Sequence, residues 1–278
     1  MKSKTNTHKL VESALLVAAA TVLGIFHLVE MPYGGSVTVA SMLPILLVSY
    51  RHGTAWGLGC GVVYAVLQQL LGLKNLSYFT TWQSIVAVIV LDYLLAFALV
   101  GLGGVFRRVT RQQNLALVFG ALLVCALRYA CHVIAGATVW AGLSIPTEAA
   151  LAYSLGYNAT YMIPETIVLA LAAYYLGSVL DFRGDRLRRL PSAQGAQSAD
   201  LLAVIAGLLA VVALALDVSL VFSHMQNAES GEFDVGGLAV AQFAGSFWMA
   251  VTIISAVTAL AIATLLLVRR RMLQRNSK

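Results

Sequence analysis

Charged residues are scarce in this chain. Asp, Glu, Lys and Arg make up 11% of its 278 residues, whereas a soluble globular domain carries about 25%. Hydrophobic residues make up 60%, and the mean hydropathy is +0.84. This composition excludes an ordinary soluble domain and predicts an integral membrane protein.

Two further absences narrow the possible functions. The three cysteines, Cys60, Cys125 and Cys131, fall in apolar segments without the paired spacing of a metal site, so we interpret them as small buried hydrophobes. The phosphate-binding sequence G-x-x-x-x-G-K-S/T does not occur. Whatever this chain moves, it does not hydrolyse ATP by itself. The net charge of +6 follows the orientation rule for membrane proteins, and we expect no nucleic-acid partner.

The long uncharged runs predict transmembrane helices, each of which needs about 20 apolar residues. We predict spans at about 11–29, 35–50, 54–72, 83–105, 115–140, 153–180, 200–222 and 245–268. The second is short and is interpreted as tilted or partly interfacial. The first resembles a signal peptide, but we favour a retained helix because the rest of the chain is polytopic.

The distribution of charge predicts how these spans are oriented. With the N-terminus in the cytoplasm, all 18 Lys and Arg residues except Lys74 and Arg128 fall in cytoplasmic segments. The outside loops then carry the acids Glu30, Glu148, Glu229, Glu232 and Asp234. Such an asymmetry favours an even number of spans with both termini cytoplasmic. The predicted fold is therefore an all-α, multi-pass bundle.

A change in composition divides the chain into three parts. Residues 183–199 are basic, then rich in small and polar residues, and predict a cytoplasmic linker. This linker separates a six-span core, 1–182, from a two-span C-terminal extension, 200–278. The extension is almost featureless, and its one acid within a span is Asp217.

The acid in the fourth span is the first candidate functional residue. Asp92 follows the run SIVAVIVL and precedes YLLAF. A lone carboxylate at this depth needs a partner or a cationic ligand. A structural pair with Arg128 is one interpretation, and a counter-charge for a bound cation is the other. Tyr93 points about 100° away around the helix, so it would line a neighbouring wall of the same cavity.

The stretch RYACHVIAGATVW holds a second group of candidates. Arg128, His132 and Trp140 stand at spacings of four and eight, which keeps them near one helix face. A lone histidine on such a face is more often a core residue than a ligand. Because an arginine and a tryptophan share the face here, we favour a binding role.

The stretch YSLGYNATYMIPE holds the third group. Tyr153, Tyr157 and Tyr161 repeat every four residues, and Asn158 lies beside them. Anchoring at the membrane interface explains Tyr153 equally well. An amide at this depth must bond either a neighbouring helix or a ligand, which favours a functional Asn158. Glu165, about two turns further along, is interpreted as a buried structural acid.

Small residues at spacings of four mark helix surfaces that permit close packing. Ala14 and Ala18 form such a surface on the first helix, and Gly53, Gly57 and Gly61 form one at the third. Packing within the bundle is one interpretation, and docking against a partner membrane protein is the other.

Four stretches together resemble a known family. SMLPILLVSYRHG, LDYLLAF, RYACHVIAGATVW and YSLGYNATYMIPE, in this order over about residues 8–182, resemble the thiamine-specific substrate-binding subunits (S components) of energy-coupling factor (ECF) transporters. The resemblance implies a six-helix S component of the bacterial cell membrane that binds thiamine in a cavity near the extracellular side. It also implies a transmembrane T component and two ATPases as partners, and neither enzymatic activity nor a cofactor.

The resemblance also implies site residues. Those that match by motif are Asp92, Tyr93, Arg128, His132, Trp140, Tyr153 and Asn158. The family usually has Glu at the position of Asp92, so this carboxylate is one methylene shorter, and it is expected to have Lys at the position of Arg128. An aromatic before the fourth helix matches Tyr78 or Trp82, and the nearest match to one between the first two helices is Tyr33. Ala14 and Ala18 match an A-x-x-x-A pattern that docks on the T component.

The chemistry of thiamine agrees with this residue set. Its thiazolium ring carries a permanent positive charge that Asp92 would neutralise, and Tyr and Trp faces add cation–π attraction of about 2 kcal/mol each when desolvated. Trp140 and His132 would stack on the pyrimidine, and Asn158 would pair with its edge.

Three alternatives remain open. The first is an S component for another vitamin, such as riboflavin. The second is a stand-alone proton-coupled transporter that uses Asp92, Glu165 or Asp217 as its proton carrier. The third is an intramembrane enzyme, which we disfavour because the sequence contains no Ser–His or metal-binding constellation of suitable spacing.

Overall fold

Long helices dominate the computed structural model, which describes residues 6–31, 34–141, 143, 150–184, 186–190, 194–224 and 245–276. The α-helices are α1 (Asn6–Ile25), α2 (Leu43–His52), α3 (Thr54–Leu71), α4 (Trp82–Val88), α5 (Ala96–Ala98), α6 (Gln113–Thr138), α7 (Ala150–Val179), α8 (Gln194–His224) and α9 (Gly245–Asn276). The predicted all-α membrane fold is confirmed. Within the described ranges, six helices are long and apolar enough to cross a bilayer: Asn6–Ile25, Thr54–Leu71, Trp82–Arg108, Gln113–Thr138, Ala150–Val179 and Met249–Gln274.

The fourth span is continuous over Trp82–Arg108 but is not a regular α-helix. A π-helical segment, Ile89–Leu95, lies between α4 and α5. π-Helical turns are rare in proteins, and many of those that do occur lie at functional sites. This segment carries Asp92 and Tyr93, so the irregular backbone coincides with the acid that the sequence singles out.

The predicted second span differs from a single helix. Strand β2 (Ser36–Thr38) comes first and pairs antiparallel with strand β1 (His27–Glu30). Helix α2 follows with only 10 residues and Pro44 in its first turn. Ten residues of α-helix are about 15 Å long, roughly half of the hydrocarbon core of a bilayer. The segment therefore consists of a strand and a short helix, and α2 alone is too short to cross a bilayer.

A buried acid holds the strand pair in place. The Glu165 side chain in α7 is fully buried. One of its carboxylate oxygens accepts a hydrogen bond from the Thr38 backbone amide at 2.6 Å, and the other accepts one from the Thr38 hydroxyl at 2.7 Å. The Ser41 hydroxyl lies 2.8 Å from the same Thr38 oxygen. Glu165 thus has a structural role, as the sequence indicated.

The two small-residue surfaces have different surroundings. A Cβ atom at Gly61 would lie 2.5 Å from the carbonyl oxygen of Ala98, so this glycine allows α3 and the fourth span to touch through their backbones. Gly57 makes a similar approach to Gly101. Ala14 and Ala18, by contrast, are exposed on the outer side of α1. Packing within the bundle explains Gly57 and Gly61 but neither the alanines nor Gly53, where a Cβ atom would meet nothing within 4 Å.

The C-terminal extension forms two long antiparallel helices. Helix α8 begins at Gln194, inside the segment that the sequence predicted as linker, and packs against α7. Helix α9 packs against α8 on the far side from the core. Before them, a short antiparallel bridge joins β3 (Leu180–Asp181) to β4 (Arg188–Arg189) and turns the basic segment back toward the end of α7.

Candidate functional site

A cavity of about 300 Å³ lies in the core, at the end of the bundle where α1 ends and α7 begins. Its volume is at the lower end of the range for small-molecule sites, about 300–1,000 Å³. The polar side chains of its wall are His27, Glu30, Ser36, Gln68, Lys74, Asn75, Asp92, Arg128, His132 and Asn158. The aromatic ones are Tyr93, Phe97, Trp140, Tyr157 and Tyr161.

Asp92 is the centre of a hydrogen-bonded group in this wall. One carboxylate oxygen lies 2.9 Å from Nδ1 of His132, and the other accepts a hydrogen bond of 2.8 Å from the indole nitrogen of Trp140. The Asp92 side chain is 13% exposed, toward the cavity. His132 lies within α6, whereas Trp140 lies two residues beyond the end of this helix at Thr138, so the predicted shared helix face does not extend to Trp140. Both side chains nevertheless reach the same carboxylate.

Arg128 determines how His132 is oriented. The Arg128 Nε–H group donates to Nε2 of His132 at 3.1 Å. Because Nε2 accepts this bond, the ring proton is on Nδ1, where it is donated to Asp92. The guanidinium carbon of Arg128 lies 4.3 Å from the ring centroid of Phe97, a cation–π contact. Asp92 is therefore hydrogen-bonded to the neutral imidazole of His132 rather than paired directly with Arg128, and Arg128 contacts the acid only through that imidazole.

Tyr93 belongs to a different part of the wall, as its position beside Asp92 predicted. Its hydroxyl accepts a hydrogen bond of 2.9 Å from the Asn75 amide, and its ring stacks on Phe97 at 6.4 Å. Gly72 lies directly against the Tyr93 ring, and a Cβ atom there would collide with it. The loop after α3 thus fixes the orientation of this tyrosine.

Asn158 faces the cavity with both ends of its amide bonded. The amide nitrogen donates to the Ser154 carbonyl oxygen at 2.9 Å, and the amide oxygen accepts a hydrogen bond from the Tyr161 hydroxyl. The amide nitrogen also lies 3.4 Å from the carbonyl oxygen of His132 in α6, so these bonds join the two helices. Contact between Asn158 and a ligand stays a prediction, for which the amide oxygen retains a second acceptor position.

Three of the residues assigned by resemblance lie beside the cavity wall rather than in it. Tyr153 stacks on the wall residue Tyr157, with ring centroids 6.3 Å apart. The Tyr78 ring lies 6.0 Å from that of Trp140, and Trp82 is 70% exposed at the start of α4. Tyr153 and Tyr78 therefore contact rings of the wall, and contact between Trp82 and a ligand stays a prediction. Tyr33 lies outside the described residues.

The sequence did not indicate the residues at the rim of the cavity. Glu30 from β1 and Lys74 from the loop after α3 both line it, and their charged groups lie 3.3 Å apart. Asn75 and Gln68 add polar groups nearby. These residues lie at the ends of elements or in loops, where no periodic pattern marks them. From the sequence, Glu30 and Lys74 indicate only the outer side of the membrane.

The cavity brings one fixed carboxylate, several ring faces and polar rim groups together among apolar helices. These features define a multi-pass membrane protein with a binding cavity for a small polar or charged aromatic molecule. The model of the family described as "Thiamine transporter protein" matches residues 10–181, and the chain belongs to this family. The resemblance seen in the sequence is thereby confirmed.

Two individual relatives agree with this placement. The chain is 36% identical to the thiamine transporter ThiT of Bacillus subtilis (strain 168) over 174 residues, which are 59% of this chain and 86% of the relative. A solved structure of ThiT from Listeria monocytogenes has the same fold, with a TM-score of 0.50 and 21% identity over 61% of this chain and 92% of that one. The family match ends at residue 181, so the C-terminal hairpin α8–α9 lies beyond it.

Proposed function

We propose that this protein is a thiamine-binding S component, which holds thiamine in the cavity around Asp92 and delivers it to an ECF transporter complex of the bacterial cell membrane. Membership of the thiamine transporter family supports the choice of ligand. The observation that carries the proposal is the Asp92 carboxylate, held between His132 and Trp140 at the wall of a cavity of suitable size.

The geometry around Asp92 suits a cationic ring. A carboxylate offers about four acceptor positions, and His132 and Trp140 each occupy one. The remaining positions leave the negative charge available to a ligand, while the two donors fix its location. Partial burial strengthens the attraction to a cation, since few water molecules screen it. The thiazolium ring of thiamine is such a cation, and the rings of Trp140 and Tyr157 offer faces for its two aromatic systems.

The proposed coupling to a partner uses the outer side of α1. Ala14 and Ala18 are exposed there, four residues apart, so a helix of the T component could approach the α1 backbone closely. The orientation proposed from the positive charges places the N-terminus and the C-terminus in the cytoplasm, with the cavity toward the outside. Because the sequence contains no ATP-binding motif, the energy would come from separate ATPase subunits.

Calorimetric titration of the full-length protein with thiamine and with deazathiamine tests the ligand assignment. In deazathiamine a carbon atom replaces the charged ring nitrogen, so the molecule is neutral. We expect thiamine to bind at least about tenfold more tightly, since only the cation pairs with Asp92. Equal affinities would show that the cavity does not select for charge, and a neutral vitamin would then become the better candidate.

The double substitution Ala14→Leu and Ala18→Leu tests the docking surface. We expect thiamine binding by the purified protein to be unchanged, because both side chains point away from the cavity. Uptake in cells that carry the T component and the ATPases should fall by about tenfold or more, since two leucines would overfill a close helix contact. Ala126 and Ala130 on α6 are likewise exposed and four residues apart. Leucines at this matched pair should leave uptake unchanged, and equal losses for both pairs would refute a specific role for α1.

A further inference from the structure

We propose that the C-terminal hairpin α8–α9 braces the rim of the cavity, and that it thereby sets the rate at which the bound ligand leaves. The identity of the ligand rests on the function proposed above, but the brace itself does not. Three observations support it: the packing of α8 on α7, the position of α8 beside β1, and the attachment of α9 to α8.

Helix α8 is built into the bundle rather than attached loosely to it. Val211 is 3% exposed and belongs to the same apolar core as the six-span part, and Leu208 packs against that core. Val204 and Ala206 are also buried. In a bilayer, apolar burial alone does not drive helices together, so the fit of small and large side chains decides how firmly they pack.

One glycine makes this fit especially close. A Cβ atom at Gly207 in α8 would lie 2.7 Å from Cδ1 of Leu171 in α7. The Leu171 side chain occupies the space that a side chain at position 207 would otherwise fill, so α7 and α8 pack closely at this point. A methyl group here can be accommodated by movement of the Leu171 side chain, whereas we expect a leucine to need more room and to push α8 away from α7.

The strand pair at the rim needs such support. Helix α8 lies next to β1 as well as against α7. Strand β1 contributes His27 and Glu30 to the cavity wall and pairs with β2, which is only 3 residues long. An isolated two-stranded hairpin is marginally stable at best. Glu165 holds β2 through Thr38, Val29 of β1 packs into the core, and α8 lies against β1 from the other part of the chain.

Helix α9 completes the brace from the outside. Over Met249–Gln274 none of its side chains is buried, and it packs against α8. The Ser255 hydroxyl donates a hydrogen bond of 2.6 Å to the Asp217 carboxylate, which joins the two helices within the membrane. The acid of the extension therefore bonds within the hairpin and does not line the cavity.

The substitution Gly207→Leu in the full-length protein tests the brace by two measurements. The first is hydrogen–deuterium exchange of residues 27–38 without ligand, which reports the rim whatever the ligand is. The second is the dissociation rate of radiolabelled thiamine. We expect faster exchange at the rim and dissociation that is about tenfold faster, because a loosened rim lowers the population of the closed, binding-competent state.

Further variants distinguish a specific effect on the cavity rim from destabilisation of the whole protein. Adding Leu171→Ala to Gly207→Leu makes room for the new side chain and should restore both measurements toward those of the wild type. Gly59→Leu on α3, where a Cβ atom meets nothing within 4 Å, should change neither. Gly207→Ala is a smaller wedge that should produce a smaller change in the same direction if the leucine variant does not fold.

The outcomes distinguish the brace from the ligand assignment. Faster rim exchange that is rescued by Leu171→Ala supports the brace, even in a protein that does not bind thiamine. Rim exchange and ligand dissociation equal to the wild type in both Gly207 variants would overturn it.

Discussion

Replacing Asp92 by asparagine should weaken thiamine binding by about a hundredfold or more, a loss of roughly 3 kcal/mol. The substitution removes the negative charge that would pair with the thiazolium ring. It also replaces a carboxylate oxygen with an NH₂ group, which would face a donor, either the Trp140 indole or His132. Two donors and one amide oxygen leave one donor unpaired. Calorimetric titration of the purified variant measures the loss.

Three comparisons isolate the charge. Asp92→Glu keeps the carboxylate and should retain binding to within about tenfold. Asp217→Asn removes the charge of the acid in the C-terminal extension but keeps an oxygen for Ser255, so thiamine binding should be unchanged. The preference for thiamine over deazathiamine should shrink in Asp92→Asn alone. If a folded Asp92→Asn protein binds thiamine with the affinity of the wild type, Asp92 is not the counter-charge of the ligand.

Replacing Glu165 by leucine should destabilise the protein by about 2–5 kcal/mol, because the Thr38 amide and hydroxyl would lose their buried acceptors. For a protein of this size the midpoint of thermal unfolding should fall on the order of 10 °C. The measurement is a thermal melt of the detergent-purified protein. The β1–β2 pair should be the first region to loosen, since Thr38 is its link to α7.

Glutamine at position 165 distinguishes a structural acid from a proton carrier. Its amide oxygen can accept from the Thr38 amide while its NH₂ group donates to the Thr38 hydroxyl oxygen, so most of the stability should remain. Thiamine uptake should also continue, since no proton needs to leave this position. Loss of uptake with normal thiamine binding in Glu165→Gln would instead favour a proton-coupled transporter.

The helices that carry the site could be predicted from the sequence because their apolar runs are long and nearly free of charge. The predicted fifth and sixth spans, 115–140 and 153–180, correspond closely to α6 over Gln113–Thr138 and α7 over Ala150–Val179. The spacing of Arg128 and His132 is a property of one helix, so it too was visible. The two side chains form a hydrogen bond, as residues four apart on one helix face can.

What the sequence could not predict depends on contacts between distant segments. The β1–β2 pair has strands too short for an alternating pattern, and an acid 127 residues away in the chain holds it. The π-helical segment over Ile89–Leu95 has the composition of an ordinary apolar helix. The sequence also left open whether Arg128 or a ligand is the partner of Asp92, because Asp92 and Arg128 lie on different helices. In the structure the imidazole of His132 lies between them and is hydrogen-bonded to both.

Titration of tryptophan fluorescence in the detergent-purified, full-length protein tests the central claim most directly. Trp140 donates to Asp92 at the cavity wall, so a ligand bound there should change its emission. The account predicts saturable quenching by nanomolar thiamine, no response to riboflavin, and loss of the thiamine signal in Trp140→Phe. A folded protein that responds to riboflavin and not to thiamine, or to neither, would contradict a thiamine-binding cavity.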